Sequence, residues 1–184
     1  MKQCEKLPEQ YRETNKISVE DKKVSRLLNT LSVIIGLVIY FQALVVRGYL
    51  FLTMPKVMIL MMLVAIVLYS PLHEGLHGVA MKMLGTKRVE YKFGLKFSSA
   101  RSADYYSKAG QLIVLLTPVI MCTLVFTVLQ MCMSDMWFWV FVMLHMRNLA
   151  GAVGDIYAAI KITQMPANIM IQDKGLCLSI YTKN

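Results

Sequence analysis

The 184-residue chain is 57% hydrophobic and 17% charged, with a mean hydropathy of +0.52, which excludes a disordered chain and argues against a soluble enzyme with a solvated surface. Lys and Arg number 20 against 11 Asp and Glu, a net charge of +9. Because these basic residues cluster beside apolar runs, they point to orientation in a membrane rather than to nucleic acid.

Residues 1–26 read as a cytoplasmic N-terminal segment, and residues 27–162 as a membrane core. Leu27 to Val46 supplies twenty uncharged residues, matching the ~20 that cross a hydrocarbon layer. A second span is expected over 50–84, where the apolar run from Val57 to Leu72 is lengthened by a snorkelling Lys56 and its helix continues through HEGLHGVAMKML. Residues 88–98, RVEYKFGLKFS, alternate strictly and read as a strand or bulged hairpin whose free edge could receive an extended peptide. The third span, 109–134, carries no charge and holds Pro118 well inside. The fourth, 136–160, is interrupted by His145, Arg147, Asn148 and Asp155, and opens with Trp137 and Trp139, which suit an interfacial belt. Residues 163–184 form a cytoplasmic tail in which Asp173-Lys174-Gly175 reads as a turn between two β-rich stretches. The expected fold is an all-α polytopic membrane protein of about four transmembrane helices, with a small cytoplasmic β element.

Counted between the apolar runs, Lys and Arg number seven before Leu27, two (Arg47 and Lys56) between the first run and Val57, seven between Leu72 and the third run, and none between the third and fourth. That alternation predicts a multi-pass protein of the cell membrane with both termini inside. The four cysteines, Cys4, Cys122, Cys132 and Cys177, contain no C-x-x-C pair and imply no disulfide framework. The methionines of MILMML read as flexible apolar packing rather than a copper site.

The chemistry concentrates in His73-Glu74-Gly75-Leu76-His77, an H-E-x-x-H motif at the end of the second span. Residues four apart share a helix face, so both imidazoles can bind one metal ion, and two neutral imidazoles suit zinc. Glu74 beside them is the candidate general base, able to take a proton from water and deliver it to a leaving amine. A zinc site needs a third protein ligand, and Asp155 is the best placed. His73 lies 16 residues beyond Val57 and Asp155 lies 19 beyond Met136, or ~24 and ~28 Å of helix. His145 is ten residues short of Asp155 and sits too far out. Asn148, Gly151 and Asp155 share a face, so Asn148 could hydrogen-bond a substrate backbone or could equally join helices. Arg147, one residue's rotation away, is expected to point elsewhere and to have no catalytic role.

The segments PLHEGLHGVAMKMLG, VEYKFGLKF, LLTPVI and RNLAGAVGDIY together resemble a prokaryotic family of membrane zincin peptidases and, more distantly, the site-2 intramembrane metalloproteases. The resemblance runs from about Met58 to Ile160. It implies a zinc hydrolase at the membrane acting on a peptide or membrane-protein substrate, with His73, His77 and Asp155 as ligands and Glu74 as catalytic acid and base. It names no particular substrate. The competing expectations are a catalytically inactive zinc-binding scaffold and a metal transporter.

Overall fold

The structure, a computed structural model, describes residues 3–47, 55–94 and 98–183, leaving aside the side chains at 135 and 136. Residues 50–54 of the expected second span and 95–97 of the expected strand lie outside the described residues. Five helices and seven short strands follow in the order β1 (Gln3–Cys4), β2 (Tyr11–Ser18), α1 (Lys22–Arg47), α2 (Lys56–Met83), β3 (Glu90–Lys92), β4 (Ser99–Arg101), β5 (Tyr105–Ser107), α3 (Lys108–Cys132), α4 (Asp135–Gly151), α5 (Val153–Thr163), β6 (Met170–Asp173) and β7 (Cys177–Lys183).

Among the described residues three helices, α1, α2 and α3, are long and apolar enough to cross a membrane. Local signals fix their ends. Asp21 Oδ1 accepts the Lys23 and Val24 amides at 2.9 and 3.1 Å and so caps α1, and Ser107 Oγ accepts from Gly110 N at 3.2 Å at the start of α3. At the end of α2, Gly85 takes a φ of +112° while the Thr86 amide returns to the Met81 carbonyl at 3.1 Å, the closure that a left-handed residue permits. Proline interrupts neither long helix. Pro71 and Pro118 both lie within continuous helix.

The expected fourth span is not one helix. It is interrupted at Ala152 into α4 of 17 residues and α5 of 11, between Gly151 and Gly154, which lower the helical preference of that turn. The interruption gives Asp155 a place in the first turn of a helix, where the macrodipole favours a carboxylate. Trp139, expected at a lipid-facing belt, is instead fully buried among Tyr40, Ala43, Phe138 and Val142, where α1 packs on α4.

The β content exceeds the expected small element. A five-stranded antiparallel sheet runs β1-β5-β6-β7-β2, and β3 pairs with β4 in a separate two-stranded sheet. The strand read over 88–98 and the C-terminal hairpin therefore do not share a sheet. The hairpin forms around the expected turn: Gly175 adopts a φ of +89°, and its amide donates to Asp173 Oδ1 at 2.8 Å. A Cβ at Gly175 would also lie 2.8 Å from the Ser99 hydroxyl oxygen, so conformation and space both select glycine. Ile17, Leu115, Ala158, Ile162, Ile171 and Ile180 fill the core that joins this sheet to α3 and α5.

Within that junction Asp173 is buried, accepting from Gln111 Nε2 at 2.6 Å. Burial pushes its carboxyl up to about 6, outweighing the Gly175 and Gln111 hydrogen bonds that favour the charged form. The folded state thus holds this proton more tightly than the unfolded chain, whose carboxyl titrates at about 4. The resulting stability is complete below that value and is lost as pH rises through about 6. The thermal midpoint is expected to fall over this window in the unmodified protein and to lose that fall in Asp173→Asn; the same pH slope in both would contradict the assignment.

Candidate metal centre

Helix α2 carries Tyr69, His73 and His77 at i, i+4 and i+8, on one face. The imidazole centroids of His73 and His77 are 4.9 Å apart. The start of α5 brings Asp155 to the same point, its Oδ2 3.2 Å from His73 Nε2 and 3.5 Å from His77 Nε2. One ligand atom from each of the three residues falls within 4.8 Å of the others. Both histidines and Glu74 are buried, and Asp155 is half-buried.

The outer nitrogens reveal how the imidazoles are set. His77 Nδ1 lies 2.9 Å from the Val114 carbonyl; a carbonyl oxygen only accepts, so Nδ1 carries a proton and Nε2 is the nitrogen left to ligate an ion. For His73 the same result follows in three steps. Asn148 Nδ2 donates to the Val119 carbonyl at 3.3 Å and to Thr123 Oγ1 at 2.9 Å, which orients the amide so that Oδ1 faces Tyr69. The Tyr69 hydroxyl donates its one proton to that Oδ1 at 2.6 Å. His73 Nδ1, 2.8 Å from the same hydroxyl oxygen, must then be the donor. Both Nε2 atoms therefore face the Asp155 carboxylate, the side from which they would reach an ion.

This donor set fits zinc. Ligands at about 2.0–2.1 Å around a tetrahedral ion lie about 3.3–3.4 Å from one another, close to the two nitrogen-to-carboxylate distances here. Three protein ligands leave the fourth position for water or substrate.

A cavity of about 450 Å3 opens beside the three residues, lined also by Glu74, by Ser99 and Ala100 of β4, and by Asn29 and Ser32 of α1. The Ala100 backbone N–H interacts with the Glu74 carboxylate. The strand next to the site is thus β4; β3, within the segment read as an amphipathic strand, is the outer and exposed one.

This geometry decides between the two readings of Asn148 and changes that of Arg147. Asn148 is fully buried and does not line the cavity; its amide is committed to Tyr69, Val119 and Thr123. Arg147, expected to point away, does line the cavity, its guanidinium lying over Gly151 and 5.9 Å from the Tyr69 ring centroid. His145 stands apart, its Nδ1 3.0 Å from Gln130 Nε2. Sequence reasoning passed over Tyr69, although its position four residues before His73 was a usable signal.

A family model described as "Putative zincin peptidase" matches residues 65–170, more than half of the chain. The chain belongs to that family. The matched region contains His73, Glu74, His77 and Asp155. No curated protein and no solved structure matches the chain.

Proposed function

We propose that this zincin-family member is a zinc-dependent peptidase embedded in the membrane, hydrolysing peptide bonds near the cytoplasmic face. The observation that carries this reading is the convergence of two imidazole Nε2 atoms and one carboxylate beside a cavity that Glu74 also lines. His73, His77 and Asp155 would hold the ion. When bound, zinc supplies Lewis acidity toward the scissile carbonyl and the attacking water. Glu74 accepts the proton that this water gives up on attacking the carbonyl carbon, then delivers it to the amine nitrogen as the carbon–nitrogen bond breaks.

Two features support the orientation. Strands from the chain's N-terminal segment, from the α2–α3 connection and from its C-terminal segment meet in one sheet, so these segments lie on one side of the helices. The distribution of Lys and Arg assigns that side to the cytoplasm.

A peptide bond must be extended to be reached, and β4 has no partner strand on its second edge among the described residues. A substrate segment laid along β4 would pass Glu74. The test is a peptide library incubated with the purified protein, with cleaved bonds found by mass spectrometry. Cleavage is expected to stop with a chelator, return with zinc, and fall in Ala100→Pro while zinc stays bound. Chelator-resistant cleavage, or none at all, would remove the peptidase reading; full activity in Ala100→Pro would remove β4.

A further inference from the structure

We propose that Pro118 is a positioning residue of the metal centre, which it serves through a carbonyl it leaves free. The inference rests on the zinc reading above and concerns what holds the two histidines in their ligating form.

In a regular helix the N–H of residue i bonds the carbonyl of residue i−4. Proline has no N–H, and its ring crowds that carbonyl away from the helix axis. For Pro118 the carbonyl is that of Val114, which α3 buries completely. Such a group must find a donor from another element, above all inside a membrane, where water cannot serve. The donor is His77 Nδ1, at 2.9 Å. The exchange is mutual: α3 satisfies a carbonyl that proline has orphaned, and His77 is fixed in orientation, its Nδ1 engaged and its Nε2 turned toward Asp155.

His73 is fixed by different means to the same end. The Tyr69 hydroxyl accepts its Nδ1–H and is itself held by Asn148, which is anchored on α3 by Val119 and Thr123. Helix α3 therefore contributes no ligand to the site and orients both histidines that do. Outer partners of this kind set the basicity and aim of a ligating imidazole, and losing one weakens metal binding about 10–100-fold.

The test measures zinc affinity by competition with a chromogenic chelator in the purified full chain, and the visible spectrum of the cobalt(II)-substituted protein. Pro118→Ala restores an N–H that draws the Val114 carbonyl back to the helix axis. Tyr69→Phe deletes the hydroxyl that receives the His73 proton. Each is expected to weaken zinc about tenfold or more and to shift the cobalt bands, and the double variant is expected to bind zinc more weakly than either single variant. Pro118→Ala completes a helix turn, so the metal-free protein is expected to melt no lower than the unmodified one.

Affinities within about twofold of the unmodified protein in both variants would overturn the proposal while leaving the zinc site intact. A loss in one variant alone would overturn the assignment for the other histidine. Weaker binding that appears only with a lower melting temperature of the metal-free protein would be a packing effect, and would overturn it too. An unmodified chain that binds no zinc would remove the zinc reading and this inference together.

Discussion

Glu74→Gln is expected to abolish measurable hydrolysis while leaving zinc bound. Glutamine keeps the size and hydrogen-bonding reach of the side chain and loses its ability to accept a proton, and general acid–base catalysis of this kind contributes about 10²–10⁴ in rate. Glu74 lines the cavity and is not one of the three clustered ligand residues, so its loss separates chemistry from metal binding. Turnover of any peptide found to be cleaved, measured beside zinc content, checks this. Loss of both together would mean that Glu74 serves the site's structure. Undiminished turnover would assign the proton transfer to another group.

Asp155→Ala is expected to act on the opposite quantity. It removes a carboxylate whose Oδ2 lies within 3.5 Å of both histidine Nε2 atoms. Zinc affinity is expected to fall more than about hundredfold, beyond what loss of an outer partner costs, because a ligand itself is gone. Hydrolysis should fall in step with bound zinc. An affinity unchanged in Asp155→Ala would place the third ligand elsewhere and leave Asp155 as a partner of the imidazoles alone.

The parts of this arrangement written in local periodicity were legible in the sequence. The H-E-x-x-H spacing puts both imidazoles on one face wherever the segment is helical, and the apolar run preceding it made the helix evident. The turn at Asp173-Lys174-Gly175 was legible because Asp and Gly have distinct local roles there, a side-chain acceptor and a positive φ. Depth along two helices was enough to pair Asp155 with His73.

What depended on distant partners was not legible. The sequence of β2, YRETNKIS, shows little alternation, and among its residues only Ile17 is buried; it is a strand because β7, far along the chain, pairs with it. Of the two readings open for Asn148, the joining of helices is the one the structure shows, whereas Arg147 was expected to point away from the cavity it lines. Their expected faces assumed an unbroken helix through Asp155, and the interruption at Ala152 removes that continuity. Asn148 faces Tyr69 and α3, while the long Arg147 side chain crosses Gly151 into the cavity wall. Pro118 was visible as a tolerated proline, yet its consequence required knowing that α2 packs where the Val114 carbonyl emerges.

The central claim is that His73, His77 and Asp155 form one zinc site. Its most direct test is the zinc content per chain of the purified, detergent-solubilised protein, compared with His77→Ala and Asp155→Ala. The account predicts close to one zinc per chain in the unmodified protein and little in either variant. Zinc absent from the unmodified protein, or retained in full by both variants, would contradict it.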